Sequence, residues 1–394
     1  MKTSSERMKT FPDHFFAGLD SKIKELQARG EDVIRLDVGS PDLPPADHII
    51  DALNRSAAQA DHHGYQPYLG PDELREAWAE TYQRLYGVNL DPDSEIIPLM
   101  GSKEGIFNLV MATIDPGDVV LIPDPGYLTY NRATRFAGGE PVHLPLIPEN
   151  DYLPDLEDIP QHLLHRAKLL WLNYPHNPTA AVADLAYFTK VVSFAHRHNL
   201  LLCHDAAYSR VTFDGYQAPS LLQVPGAKDI AVEFNTLSKS HNMAGWREGV
   251  AVGNRRALES LHVLKTNVDS GQFRPIMDAA TAALTGDQSW LIKRNEIYSQ
   301  RRDLIIDALR SSGLNPRKPM GSLYVWCPVP PDFSAEDFVS TLLEQTAVSL
   351  TPGTIFGANG AGYVRISLSA PTGKIEEAMQ RITRMLQRSG GKVG

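Results

Sequence analysis

The chain has 394 residues, of which 42% are hydrophobic and 22% are charged, so it is long enough for two domains and at least one large core. Its 38 basic and 47 acidic side chains give a net charge of −9, and this balance argues against a nucleic-acid partner. No apolar stretch reaches the roughly 18 residues of a membrane span, and the N-terminus lacks the apolar segment of a secretory signal. Two cysteines cannot form a disulfide framework, and the histidine spacing predicts no metal site. These features predict a soluble protein of the cytoplasm without a membrane partner.

Short apolar runs alternate with helical patterns through the middle of the chain. Runs of four or five apolar residues are typical of strands buried on both faces, and the predicted strands are 119–122, 169–172, 200–203, 230–234 and 250–252. The stretch 184–198 carries apolar residues at helical spacing. Strands that alternate with helices require crossover connections within a mostly parallel sheet. We therefore predict a large α/β domain over residues 45–290.

The C-terminal part of the chain has a different pattern. Helices are predicted over 295–309 and 375–386, and strands over 323–327 and 363–368. This arrangement indicates a smaller α+β domain over residues 291–394. The N-terminal residues 1–44 are assigned to the same domain, because the segment 23–36 is expected to pack against it.

A turn at residues 101–105 opens a stretch with apolar residues at helical spacing. The start of a helix offers unpaired backbone N–H groups and the positive end of the helix dipole, which suits a phosphate group. Ser102 and Lys103 stand at this start, although Ser102 is equally suited to be a plain N-cap. The pattern alone leaves both interpretations open.

Polar residues follow two of the predicted strands, at the edge where open α/β sheets bind their ligands. Asn177 belongs to the run 173–179, where an amide can donate to an oxyanion or a phenolate. A proline-rich turn explains that run equally well. Asp205 follows the strand 200–203, where it would either pair with a cation such as a protonated ring nitrogen or cap the next helix.

Lys239 lies between two serines, shortly after the predicted strand 230–234. A solvated surface charge explains this placement poorly. Burial and a nearby cation would lower the pKa of its ammonium group and produce a nucleophilic amine. Arg247, eight residues later, has the forked guanidinium that suits a phosphate.

Together these motifs resemble those of the pyridoxal-phosphate-dependent class I/II aminotransferases of fold type I. The resemblance extends from residues 38–42 to 364–367 and includes Asn-x-Pro-x-Asn-Pro-Thr, Asp-x-x-Tyr and Ser-Lys followed by Arg, in this order. It implies a large domain with a mostly parallel central sheet, a smaller α+β domain, and pyridoxal 5′-phosphate as cofactor. Ala180 stands where the family usually has glycine, and the bonds before Pro175 and Pro178 are candidates for cis geometry.

The resemblance implies roles for the residues on these motifs. Lys239 would form the internal aldimine with the cofactor and move the α-proton of the substrate. Asp205 would pair with the pyridinium nitrogen and keep the ring an electron sink. Asn177 and Tyr208 would hydrogen-bond the 3′-oxygen, and Tyr127 would stack on the ring.

The resemblance also implies how the phosphate and the substrate are held. The phosphate would be bound by Ser102, Lys103, Thr236, Ser238 and Arg247, together with Tyr65 of the partner subunit in a homodimer with shared active sites. Arg365 would bind the substrate α-carboxylate through two parallel hydrogen bonds. The remaining substrate contacts would come from Gly39, Lys103, Tyr127 and Asn177.

The implied reaction moves an amino group between an amino acid, acidic or LL-diaminopimelate-like, and 2-oxoglutarate. Residues 101–105, 124–127 and 269–271 most resemble the branch that includes LL-diaminopimelate aminotransferases, which serve lysine biosynthesis. His14 stands where diaminopimelate members commonly carry tyrosine, and Phe15 and Phe16 lie near a segment that covers the active site in relatives. The alternatives are a C–S β-lyase with the same cofactor, an aminotransferase for alanine or aromatic amino acids, and a non-catalytic cofactor-binding regulator.

Overall fold

A computed structural model of the chain describes residues 1, 3–11 and 15–390. The helices are α1 Phe15–Ala28, α2 Asp47–Ala57, α3 Asp72–Tyr86, α4 Ser102–Thr113, α5 Leu128–Ala137, α6 Gln161–Leu164, α7 Leu185–His198, α8 Leu237–Ser240, α9 Arg255–Val268, α10 Arg274–Thr285, α11 Trp290–Ser311, α12 Ala335–Thr346 and α13 Thr372–Gly390. The strands are β1 Ile34–Arg35, β2 Ile96–Leu99, β3 Val119–Asp124, β4 Glu140–Pro145, β5 Ala167–Leu172, β6 Leu201–Asp205, β7 Ala231–Thr236, β8 Gly249–Gly253, β9 Tyr324–Pro328, β10 Val348–Ser349, β11 Thr351–Pro352 and β12 Tyr363–Ser367. His14 and the side chains of Phe15 and Phe16 lie outside what the structure describes, so their predicted place near the active site stays a prediction.

Within the described ranges, the main sheet has seven strands in the order β2-β8-β7-β6-β5-β3-β4. The pairs from β7 to β4 are parallel, and β8 is antiparallel to both β2 and β7. The mostly parallel α/β sheet predicted from the alternation of strands and helices is therefore confirmed. All the strands predicted for this sheet form, with ends that differ from the prediction by at most two residues.

Two strands of this sheet were not predicted, for reasons that their sequences show. β2 is only four residues long and contains Pro98, which cannot donate a hydrogen bond to a neighbouring strand. β4 lies at the edge of the sheet, contains two prolines and exposes most of its side chains at least partly. Edge strands tolerate proline and polar residues, so β4 shows no apolar run.

Helices cover both faces of the main sheet, because side chains alternate between the two faces along each strand. Val120 and Ile122 of β3 belong to a core with α4, α5 and α9. Val119 and Leu121 belong to a core on the other face, with α2, α3, α7 and α10. The result is a layered α/β unit with its strands buried on both sides.

Local signals explain where individual helices begin and end, as α7 shows. Asp184 precedes the helix, and its carboxylate accepts a hydrogen bond from the backbone N–H of Tyr187 at 2.7 Å. Asn199 follows the helix in a left-handed conformation, with φ of 53°. These are the start and stop features typical of helices, and they confirm the helix predicted over 184–198.

A second group of strands belongs to a separate core. β11, β12 and β9 form an antiparallel sheet, and β1 pairs in parallel with β10. Their apolar residues pack with α11, α12 and α13. Leu19 and Ile23 of α1 contact Leu343 of α12, so the N-terminal segment packs here as predicted.

The described helices include none that is long and apolar enough to cross a membrane. Over the same residues, no group of three or more His, Cys, Asp or Glu side chains is arranged to hold a metal ion. Cys203 and Cys327 are free and buried, and burial raises the pKa of both thiols. Cys203 is therefore a core thiol with little thiolate character.

Candidate active site

A cavity of about 430 Å³ lies at the carboxyl ends of the parallel strands, where β9 and β12 meet the main sheet. Asp205 is the last residue of β6 and Thr236 is the last residue of β7, so the sheet itself delivers both side chains to the cavity. The predicted site residues that line it are Gly39, Ser102, Lys103, Tyr127, Asn177, Asp205, Tyr208, Thr236, Ser238, Lys239, Arg247 and Arg365. Tyr65 does not line it, and its side chain is 94% exposed.

Lys239 lies in the short helix α8, which follows β7 without an intervening loop. The Thr236 hydroxyl starts this helix, because it accepts a hydrogen bond from the Ser238 backbone N–H at 3.1 Å. The same hydroxyl donates to the Glu248 carbonyl at 2.7 Å. These contacts fix the backbone that carries Lys239 at the floor of the cavity.

The amine of Lys239 is held away from bulk water. Its Nζ donates to the backbone carbonyl of Gly39 at 2.7 Å. Burial lowers the pKa of Lys239, and the positive charges of Arg247 and Arg365 lower it further, while nearby Tyr324 and Asp205 oppose the shift. A lowered pKa increases the fraction of neutral amine, which is the form that attacks a carbonyl carbon.

Asp205 presents a buried carboxylate to the cavity. The Tyr130 hydroxyl donates to Oδ2 of Asp205 at 2.9 Å, and the Ala207 backbone N–H donates to Oδ1 at 3.3 Å. Burial raises the pKa of Asp205, whereas these two hydrogen bonds lower it. A cationic group placed against this carboxylate would be strongly favoured, because it would remove the cost of a buried charge.

The opposite end of the cavity is built for an anion. α4 begins at Gly101 without any side chain bonded to its first N–H groups. Burial lowers the pKa of Lys103, and the positive charges of Arg132 and Arg247 lower it further. Arg247 donates to the Ser238 hydroxyl at 3.3 Å. Clustered cations beside a free helix start suit a group with more than one negative charge, such as a phosphate.

Arg365, on β12, directs a partly unpaired guanidinium into the same cavity. Its Nη1 donates to Oδ1 of Asn177 and its Nη2 to the carbonyl of Asp37, both at 2.9 Å. Its Nε has no hydrogen-bond partner among the described residues. The guanidinium lies over the rings of Tyr324 and Phe356, at 4.1 and 4.7 Å from their centres. A carboxylate placed here would receive charge-assisted hydrogen bonds.

The loop after β5 holds Asn177 in place. Asn173 accepts a hydrogen bond from the Asn177 backbone N–H at 2.9 Å and donates to the Asp205 carbonyl at 2.6 Å. Because Oδ1 of Asn177 accepts from Arg365, its amide N–H₂ is left to donate into the cavity. Ala180 adopts a left-handed φ of 57°, in the region that favours glycine. The bonds before Pro175 and Pro178 are cis, and so is the bond between Asp124 and Pro125.

The residues that line or contact the site without being predicted as site residues include Tyr130, Asn173, Tyr324 and Phe356. Asn173 lies within the run 173–179, and Tyr130 stands one helical turn after Tyr127, so both had a detectable signal. Tyr324 and Phe356 had none. A buried strand explains the pattern around Tyr324, and Phe356 lies in a short 3₁₀ turn.

Residues 31–382 match the family described as aminotransferase class I and II. The LL-diaminopimelate aminotransferase of Moorella thermoacetica is 46% identical over 382 residues, which cover 97% of this chain and 98% of that protein. LL-diaminopimelate aminotransferase 2 of Trichormus variabilis is 46% identical over 379 residues, or 96% of this chain and 97% of that protein.

Solved structures show the same fold. A substrate-bound structure of BacF from Bacillus subtilis superposes with a TM-score of 0.95 at 36% identity and covers 98% of both chains. A variant of the aspartate aminotransferase of Thermus thermophilus superposes with a TM-score of 0.91 at 30% identity, over 98% of this chain and 100% of that chain. The fold type I architecture expected from the sequence is therefore confirmed.

The cavity fits pyridoxal phosphate, the cofactor of this family. The free start of α4, Lys103 and Arg247 suit its phosphate, and the buried carboxylate of Asp205 suits its ring nitrogen. Lys239 offers a buried amine in the same cavity. The chain therefore belongs to the class I and II aminotransferase family and is a pyridoxal-phosphate-dependent aminotransferase.

Proposed function

We propose that the chain transfers the amino group of LL-diaminopimelate, or of a similar acidic amino acid, to 2-oxoglutarate. The observation that carries this proposal is the identity of 45–46% to proteins named LL-diaminopimelate aminotransferase over nearly the whole chain. Solved neighbours named for aspartate or aromatic amino acids are only 29–30% identical. Lys103 adds a positive charge to the cavity besides Arg365, and this charge suits a substrate with a second carboxylate.

Lys239 and Asp205 carry the proposed chemistry. Bound pyridoxal phosphate supplies a ring that stores the electron pair left at Cα when a proton departs. Lys239 is the residue that would hold the cofactor covalently, and its amine, when free, would carry the Cα proton. Asp205 keeps the ring nitrogen protonated, because a buried carboxylate stabilises a cation beside it.

Arg365 orients the substrate in this proposal. Its position over two aromatic rings and its bond to the Asp37 carbonyl leave little freedom for the guanidinium. A carboxylate bound to it in a fixed plane fixes which bond at Cα faces Lys239. Asn177 and Tyr208 would donate to the 3′-oxygen of the cofactor, and Tyr127 would stack on its ring. Gly39, Lys103, Tyr127 and Asn177 also line the cavity and would contact the substrate.

The phosphate is held by groups from both subunits of a proposed homodimer. Ser102, Lys103, Thr236, Ser238 and Arg247 supply the contacts from one chain. Tyr65 is almost fully exposed. Tyr68, three residues later, is also exposed, and so is Phe273, whose ring contacts that of His63. Exposed aromatic residues are typical of interfaces, so we assign Tyr65 to the phosphate site of the partner.

The proposal also assigns the domain boundaries and the cellular compartment. Residues 45–290 form the cofactor domain, and residues 1–44 with 291–394 form the smaller domain, because most of their apolar residues belong to different cores. The cores interlock at the boundary, where Trp326 and Phe356 join the larger core and Tyr208 joins the smaller one. The enzyme works in the cytoplasm, which is supported by two free, buried cysteines.

The test of the substrate is a comparison of kcat/KM for LL-diaminopimelate, aspartate, alanine and an aromatic amino acid at one 2-oxoglutarate concentration. We expect LL-diaminopimelate or aspartate to be favoured by about tenfold or more over the others, because unpaired polar groups in a pocket penalise substrates that lack their partners. A tenfold preference for alanine or the aromatic amino acid would reject the substrate assignment. Release of pyruvate and ammonia without an acceptor would instead indicate a β-lyase.

A further inference from the structure

Tyr324 contacts three groups that build the active site. Its hydroxyl lies 3.0 Å from the hydroxyl of Tyr208, and its ring lies 4.1 Å below the guanidinium of Arg365. Gly39 packs so closely against the phenol that a Cβ at that position would overlap the Tyr324 hydroxyl. The sequence gives Tyr324 no role beyond a buried strand.

The pairing of β9 with β12 explains this convergence. Tyr324 pairs with Ser367 and Trp326 pairs with Arg365 in the antiparallel register. Tyr324 and Arg365 are therefore diagonal neighbours, and diagonal neighbours on one face of a sheet lie within reach of long side chains. The backbone of Tyr324 is held there by its pairing with Ser367.

Hydrogen-bond counting then assigns a direction to the bond between the two tyrosines. Each phenol carries one proton and can donate once. If the Tyr208 proton points to the 3′-oxygen of the cofactor, the bond between the hydroxyls must be donated by Tyr324. Among the described residues, Tyr208 is the only hydrogen-bond partner of the Tyr324 hydroxyl.

We propose that Tyr324 is a positioning residue that couples recognition of the substrate carboxylate to the hydrogen bond on the 3′-oxygen of the cofactor. Its hydroxyl orients the proton of Tyr208, and its ring fixes the plane of Arg365. The inference rests on the roles proposed above for Tyr208 and Arg365.

The hydroxyl is tested by a pH titration of the cofactor absorption in the resting holoenzyme, without substrate. A hydrogen bond from Tyr208 stabilises a negatively charged 3′-oxygen. It therefore lowers the midpoint, which is the pH at which half of the absorption change has occurred. Tyr324→Phe should raise that midpoint by about half a pH unit, because the Tyr208 donor loses its orienting and polarising partner. Tyr208→Phe should raise it further, and adding Tyr324→Phe to Tyr208→Phe should change nothing more.

The ring is tested by comparing two variants. Tyr324→Phe keeps an aromatic face under Arg365, so KM for the amino acid should stay within about twofold of the original value. Tyr324→Leu removes that face and should raise KM by about tenfold while shifting the midpoint as Tyr324→Phe does. Because both variants move the absorption midpoint, either one tests the hydroxyl; a KM for Tyr324→Leu within about twofold of the original value would overturn the role of the ring.

Tyr298→Phe is the matched control. Tyr298 is buried, its ring lies 5.4 Å from the guanidinium of Arg301, and its hydroxyl has no hydrogen-bond partner among the described residues. This variant should leave both the midpoint and KM unchanged. An unchanged midpoint in Tyr324→Phe, with a normal titration of the original enzyme, would overturn the proposal. A chain that shows no cofactor absorption at all would instead reject the proposed function.

Discussion

Lys239 differs from a surface lysine in its environment, since its amine is buried and donates to a backbone carbonyl. Lys239→Ala should lose the covalent link that borohydride reduction traps, and should slow amino transfer by about a thousandfold or more, because proton transfer alone contributes that much. Mass spectrometry of the reduced protein measures the link. Lys228→Ala, which removes a lysine paired with Glu95 outside the cavity, is the control and should keep it. A reduced adduct on Lys239→Ala would refute the assignment.

Asp205 shows how one residue exchanges stability for function. Burial raises its pKa, so the carboxyl holds its proton more tightly in the folded chain without cofactor than in the unfolded chain. The associated stability is complete below the ordinary pKa of aspartate and is lost as the pH rises through the raised value. Asp205→Asn should therefore increase the Tm of the apo-protein at neutral pH. It should also weaken cofactor binding by about 10- to 100-fold, because a charge-assisted hydrogen bond is lost.

Thermal unfolding of the apo-protein at several pH values, with a cofactor titration at neutral pH, checks this prediction. Asp214→Asn is a control of opposite sign, because a hydrogen bond from Arg302 lowers the pKa of Asp214. The stability from Asp214 is present above the ordinary pKa and is lost as the pH falls through the lowered value. Asp214→Asn should reduce the Tm of the apo-protein at neutral pH and leave its affinity for the cofactor unchanged. A decrease of Tm in Asp205→Asn at neutral pH would contradict the argument.

At the scale of the elements, the start of α4 depends on a residue without a side chain. Gly101 has a φ of 78°, and a Cβ there would overlap the guanidinium of Arg247. Gly101→Ala should displace Arg247 and weaken cofactor affinity by about tenfold or more, the cost of a charged hydrogen bond. Gly87→Ala is the matched control, because Gly87 follows the last residue of α3 with a φ of 66° and a Cβ there would meet no atom within 4 Å. It should cost about 1 kcal/mol of unfolding free energy and leave affinity unchanged. Equal affinities of the two variants would contradict the prediction.

The elements also show how far the sequence alone can predict this structure. Buried strands such as β3 and β5 are predictable because each contains a run of four apolar residues, 119–122 and 169–172. β2 is only four residues long with a proline inside it, and β4 mixes prolines and polar residues with its apolar ones, so neither shows such a run. Asp205 and Lys239 lie on motifs that the sequence shows, and both line the cavity. Tyr324 was not predicted, because its contact with Tyr208 joins positions 116 residues apart and no local pattern encodes such a pairing.

At the scale of the whole molecule, the exposed Tyr65 predicts that one chain is insufficient for activity. Mixing Lys239→Ala chains with Tyr65→Phe chains should restore one intact site in each heterodimer, because the first chain supplies Tyr65 and the second supplies Lys239. The restored sites are measured as the aminotransferase activity of the mixture compared with that of each variant alone. The control mixture uses the double variant Lys239→Ala/Tyr65→Phe with Tyr65→Phe, and should show no gain. A fully active monomer in sedimentation would refute shared sites.

The bond from Arg365 to the Asp37 carbonyl has a consequence for how the protein is made. It joins residues 328 positions apart, and the β1–β10 pair likewise joins the beginning of the chain to its last quarter. Contacts between such distant positions form late, because a long loop must close before they stabilise anything. During synthesis, the ribosome must therefore release nearly the whole chain before the carboxylate-binding end of the site exists. A nascent chain stalled before Arg365 would contain Lys239 and Asp205 but would lack the side chain proposed to bind the substrate carboxylate.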